Sequence, residues 1–143
     1  MSRKFSIKST DTGAKLEFFN FRNDYFTLML SSPALNASKD IWLYTENDYS
    51  DFQSLVNFFK EIARAWKGWE GKKTWSSIEG DFVLSCTSDK LGHITLQIEL
   101  VQLDEIETWS ANFNLKTEAG QLEKISKEIA MLSCGDVYPL NCI

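Results

Sequence analysis

The sequence predicts one α+β domain over residues 1–143: a mainly antiparallel sheet of about six or seven strands with two amphipathic helices on one face, in the order ββββα-βββα. Three observations carry that expectation. Apolar and polar residues alternate in two separate blocks of the chain. Each block is followed by a run whose apolar residues recur at helical spacing. Finally, 143 residues with five Trp, four Tyr and ten Phe give a single domain enough apolar area for a substantial core.

In the first block, "KFSIKS" places Phe5 and Ile7 on one face, and "AKLEFFNF" opposes Leu16 and Phe18 to Phe19 and Phe21. Asn23-Asp24 suits a tight turn into "DYFTLMLSS", and Pro33 marks that strand's end. "ASKDIWLYT" is a fourth strand, in which Lys39 and Asp40 suit an edge. The first helix is expected from Ser50 to Lys67, with Phe52, Leu55, Val56, Phe59, Ile62, Ala63 and Trp66 as its buried stripe. Ser50 is a natural N-cap, Lys60, Arg64 and Lys67 lie toward the negative end, and Gly68 stops the helix.

In the second block, Trp75 and Ile78 should lead into "DFVLSCTS", which joins "HITLQIELVQL" through the hairpin loop "SDKLG". "TWSANFNLKT" follows the acidic turn "DEIE". A second helix spans about Glu118 to Ser133, with Leu122, Ile125, Ile129 and Leu132 inward, and residues 135–143 form an irregular tail. The halves echo each other as a pseudo-repeat at an offset of 67: "LVNFFKEIA" from Leu55 aligns with "LEKISKEIA" from Leu122, Trp42 with Trp109, and Gly13 with Gly80. With one extra residue, Thr27 overlays Thr95.

Charge and motifs narrow the function classes. A net charge of −5 disfavours nucleic acid, since the one basic patch, Lys67, Lys72 and Lys73, is small. A basic protein is the more natural partner. No run approaches the roughly 20 apolar residues of a membrane span. "MSRKFSIKST" lacks a signal peptide's apolar segment, so a cytoplasmic location is expected. Cys86, Cys134 and Cys142 then read as free thiols; the spacing of the last two matches no zinc pattern, and no metal or other cofactor is expected.

No nucleophile elbow, phosphate loop or dinucleotide fingerprint is present, which points away from an enzyme. Two weaker arrangements remain. Cys86 could face His93, the single histidine, across the hairpin. Glu70, or Glu79 with Asp81, could form a carboxylate pair beside Trp69 and Trp75. Trp69, Glu70, Trp75 and Glu79 are thus the candidates for a small-molecule or carbohydrate site. Trp69 alone receives no structural duty from spacing, and is expected to cover the end of the sheet. Separately, "TENDYSD" and "LDEIETW" put carboxylates beside aromatics. Glu46, Asp48, Asp104, Glu105 and Glu107 could form an acidic docking face for a basic protein.

The pattern Trp69-Glu70-Gly71, then Trp75, Ser77, Ile78 and Glu79, then Gly92 to Leu96, then Trp109 and Ala111, resembles a bacterial family known only as a domain of unknown function. The resemblance runs from about Leu16 to Leu132 and brings no activity or catalytic residue with it. The layout is also distantly similar to small cytoplasmic immunity proteins that neutralise wall-associated, contact-dependent toxins. That likeness implies a non-enzymatic protein-binding module acting by occlusion. Homodimerisation through exposed aromatics is a further option.

Overall fold

Alternation builds the first sheet. In the computed structural model, which describes residues 3–22, 24–43, 45–46, 49–104 and 106–133, strands β1 (Lys4–Lys8), β2 (Lys15–Phe19), β3 (Tyr25–Ser31) and β4 (Asn36–Trp42) form an antiparallel meander in chain order. Phe5 pairs with Phe18, Phe18 with Leu28, Leu16 with Leu30 and Phe26 with Ile41, so these side chains share one buried face. A two-residue pair follows, β5 (Thr45–Glu46) and β6 (Tyr49–Ser50), leading into helix α1 (Asp51–Arg64).

The second half repeats the plan. Strands β7 (Lys73–Ser76), β8 (Phe82–Ser88), β9 (His93–Leu103) and β10 (Thr108–Glu118) form a second antiparallel meander. A single 3₁₀ turn at Ala119–Gln121 then enters helix α2 (Leu122–Ser133). The expected single sheet of six or seven strands is therefore corrected to two sheets of four strands each, plus the short β5–β6 pair. The order ββββα-βββα also lacks three strands, β5 and β6 of two residues each and β7 of four, all too short to show alternation. Alternation reports which face of a strand is buried, not which strand lies beside it.

Each half thus runs through a four-strand meander and ends in a helix, and at an offset of 67 β1, β2 and β3 overlap β7, β8 and β9. The fourth strands break the offset: Trp42 ends β4, whereas Trp109 lies near the start of β10. The equivalence of those two tryptophans does not hold in the fold.

Contacts at the two ends of β10 show how the sheets meet. Ser110 and Ala111 lie beside Asn36–Ser38 of β4. Further along, the backbone N–H of Thr10, just past β1, donates to the Lys116 carbonyl at 2.8 Å, and the Lys116 N–H donates to Ser9 Oγ at 3.1 Å. β10 therefore reaches from the β4 edge of the first sheet to its β1 edge, and the apolar faces of the two sheets meet. Between them Phe18 of β2 meets Phe82 of β8 edge-on, with centroids 5.8 Å apart.

Helix α1 closes the joint. Phe59 meets Phe5 at 6.1 Å and Phe52 meets Phe26 at 6.0 Å, while its other side packs on β7 and α2. The predicted stripe holds for Phe52, Leu55, Val56, Phe59 and Ile62, all buried. It fails at Trp66, which is 56% exposed. The helix stops at Arg64 and the Gly68 N–H, at φ 110°, closes on the Ala65 carbonyl. The 3.6-residue period therefore no longer carries residue 66 inward. Ser50 lies on β6, and its side chain is outside the described set.

β4 is an edge strand, as Lys39 and Asp40 suggested. Lys39 points inward opposite Leu28, donates to Gln102 Oε1 at 2.8 Å and lies 3.4 Å from Asp81 of the β7–β8 turn. An inward charge with its own partners guards an edge against strand addition.

On the outer side of the first sheet Glu17 is buried in contact with Lys4, and Lys15 Nζ lies 3.4 Å from it. Hydrogen bonding to Lys4 holds this carboxyl below its ordinary value of 4.5, against burial, which pushes it up. A lowered folded-state pKa adds stability above the unfolded value that is lost as pH falls through the folded one. Glu17→Gln should thus flatten the loss of stability on acidification below pH 4.5, read from urea midpoints across a pH series. Phe18→Ala, at the contact between sheets, should cost about 3–5 kcal/mol in denaturant unfolding.

Candidate binding surfaces

The tryptophan-rich stretch between α1 and β8 is mostly framework. Trp75, on β7, is 9% exposed, donates its indole N–H to Ser54 Oγ of α1 at 2.9 Å, and packs edge-on against Phe82 at 5.4 Å. Trp69 is half-buried and donates to the Cys86 carbonyl at 3.3 Å, where the β7–β8 ladder runs out, with Lys73 Nζ 5.8 Å from its ring centroid. That is the sheet-end covering role expected of it.

Glu70 and Glu79 are both exposed but lie on turns before and after β7. The four residues of that strand span roughly 13 Å, too far for a carboxylate pair to flank one bond. Asp81 is held by Ser77 Oγ at 2.7 Å and by Lys39. Ile78, expected to lead into a strand, sits in the turn instead and is 65% exposed, because Ser77 and Gly80 close a tight hairpin there. Glu70 and Glu79 therefore lie at opposite ends of β7, with Trp75 buried on the strand between them.

Cys86 and His93 also stay apart. Cys86 pairs with Leu96 and points into the core, while His93 is exposed on the opposite face. Burial pushes the Cys86 thiol up to about 12, far from a reactive thiolate. His93 instead sits between Asp89 Oδ2, at 2.9 Å, and Glu118 Oε2, at 3.9 Å, in a polar groove completed by Thr10, Asp11 and Lys116. Asp89 is lowered chiefly by the His93 backbone N–H.

The acidic segment at the β9–β10 turn is the most organised part of the proposed docking face. Asp104 Oδ1 accepts the backbone N–H groups of Ile106, at 2.9 Å, and Glu107, at 2.5 Å, and Oδ2 accepts from Gln102 Nε2 at 2.7 Å. The Glu107 N–H is the main cause of the lowered Asp104 carboxyl. Glu107 in turn accepts the Trp109 indole N–H at 2.7 Å. The turn holds Leu103 and Ile106 outward, 77% and 98% exposed. Trp109 also lines a mostly apolar groove with Leu35 and Ala37 of the opposing edge. Asp48 and Glu105 lie outside the described residues, as do Cys134 and Cys142; Glu46 is on β5 with its side chain outside that set.

A feature not anticipated from the sequence is a cleft of about 470 Å³ between α1 and α2, lined by Lys60, Arg64, Trp66, Glu123, Ser126 and Lys127. The signal was present in Lys60 and Arg64 at i,i+4, but assigning Trp66 to the core hid it. Among the described residues no cluster of three or more His, Cys, Asp or Glu is placed to hold a metal, and no helix is long and apolar enough to cross a membrane.

Two outcomes check these assignments. In peptide-resolved iodoacetamide labelling at pH 8, native Cys86 should stay unmodified and become labelled only on unfolding. Trp75→Phe keeps a ring against Phe82 but loses the Ser54 bond, and should lower stability by about 1 kcal/mol.

No curated protein and no solved structure matches the chain. The model of DUF6228, a family of unknown function, matches residues 7–133, reaching nearer the N-terminus than the motif resemblance and leaving the tail outside. Since that match spans both meanders and both helices, the chain belongs to DUF6228, a family of unknown function.

Proposed function

We propose that this protein is a non-enzymatic protein-binding module whose contact surface is the β9–β10 tip and the groove beside it. The observation that carries the reading is Ile106, a large apolar side chain 98% exposed on a turn that Asp104 braces. A braced tip loses little conformational freedom on docking, so more of its burial is available as affinity. Leu103, Trp109 and Leu35 extend the apolar centre, and Asp104 and Glu107 rim it with negative charge. An apolar centre with an acidic rim suits a basic protein partner.

The net charge of −5 supports the same partner and argues against nucleic acid. Immunity-type neutralisation, with a toxin as the partner, is the finer form of this reading; acidic charge, size and layout support it. The small-molecule alternative at Trp69, Trp75 and Glu79 draws no such support, since Trp75 is held in the core.

Replacing Leu103 and Ile106 together by Ser removes only exposed apolar groups, so the unfolding temperature should not change. Retention of a specific protein from native lysate should fall at least about tenfold, and Glu107→Lys should weaken it separately. Equal retention by wild type and double variant would reject this surface. A dimeric mass in light scattering that reverts to monomer in the double variant would assign the surface to self-association instead.

A further inference from the structure

The α1–α2 cleft carries chemistry that the docking reading does not use. Three cations line it, Lys60, Arg64 and Lys127, against one carboxylate, Glu123, which lies 3.0 Å from Lys127. Lys60 and Arg64 form no ion pair among the described residues, although they stand one turn apart on the same helix, where like charges repel. Arg64, in the last turn, complements the negative helix end. Lys60, a turn earlier, and Lys127, in the middle of α2, have no such role. This concentration of positive charge runs against a chain whose net charge is −5.

Two further groups complete the cleft. Trp66 is exposed at its wall, with Lys67 Nζ 5.6 Å from the ring centroid. Ser126, 6% exposed, lines the same space and adds a hydroxyl to it. A volume of about 470 Å³ suits one substituted ring.

We propose that this cleft binds a small aromatic anion, an aryl carboxylate or aryl phosphate. The anionic group sits among Lys60, Arg64 and Lys127, the Ser126 hydroxyl donates to it, and the ring packs on the Trp66 indole and the methyl groups of Ala63 and Ala119. This site is separate from the β9–β10 tip, so each can fail without the other.

Phenyl phosphate, benzoate, inorganic phosphate and benzyl alcohol would be titrated into the full chain while indole N–H resonances are followed by NMR. Trp66 is identified by the signal missing in Trp66→Phe. The expected result is a saturable shift of the Trp66 signal by at least one aryl anion, with a dissociation constant of about 1 mM or tighter. The stronger of the two identifies the head group. Lys60→Gln with Arg64→Gln, both at exposed positions, should weaken that binding at least about tenfold with an unchanged unfolding temperature, and Ser126→Ala should weaken it severalfold. The proposal is overturned by any of three results. Neither aryl anion shifts the signal saturably; inorganic phosphate or benzyl alcohol binds as tightly as the aryl anions; or the double variant keeps the wild-type dissociation constant.

Discussion

Everything in this fold converges on the ring of Phe18. It lies 5.3 Å from Phe5 and 4.9 Å from Phe26 within its own sheet, and 5.8 Å from Phe82 of the other. Through Phe5 and Phe26 the same cluster reaches Phe59 and Phe52 of α1. A sheet with one apolar face cannot stand alone, because that face must leave water. Here each sheet is the cover for the other, and α1 covers the joint that neither sheet reaches. Edge-to-face contacts suit this role, since rings that meet at angles pack well between layers.

That closure decides what remains for binding. Once Trp75 is bonded to Ser54 and Trp69 to the Cys86 carbonyl, the richest aromatic stretch of the chain is largely internal to the framework. Among the apolar groups left outside are Leu103 and Ile106 at a hairpin tip, and Trp66 past the end of α1. Each has a neighbour of defined charge, acidic at the tip and basic in the cleft. One acidic chain thus presents two surfaces of opposite sign.

Local patterns were legible wherever a single element decides burial. The α1 stripe from Phe52 to Ile62 and the alternation of Ile94, Leu96, Ile98 and Leu100 follow from helical and strand periods alone, and both are buried as read. The left-handed turn at Gly68, just past the helix, and the edge position of Lys39 were equally readable, from φ preference and charge. Trp66 was misread because periodicity carries no marker of the last helical residue. Ile78 was misread because the Ser77–Gly80 hairpin depends on bonds to residues still to come in the chain. Of the residues proposed for docking, Asp104 and Glu107 were visible as charges, but their bonds to backbone and to Trp109 were not.

By itself, then, the sequence determined an α+β chain with two amphipathic helices, alternating strands, an acidic balance and an aromatic core. These are properties of neighbours along the chain, for which dihedral period and side-chain polarity suffice. Only the tertiary structure decided that the strands divide into two sheets, that β10 crosses the first, and that Lys60 and Arg64 face Lys127 across a cleft. Those facts depend on which apolar faces meet, and residues such as Phe18 and Phe82, far apart in the chain, become partners only when the layers close.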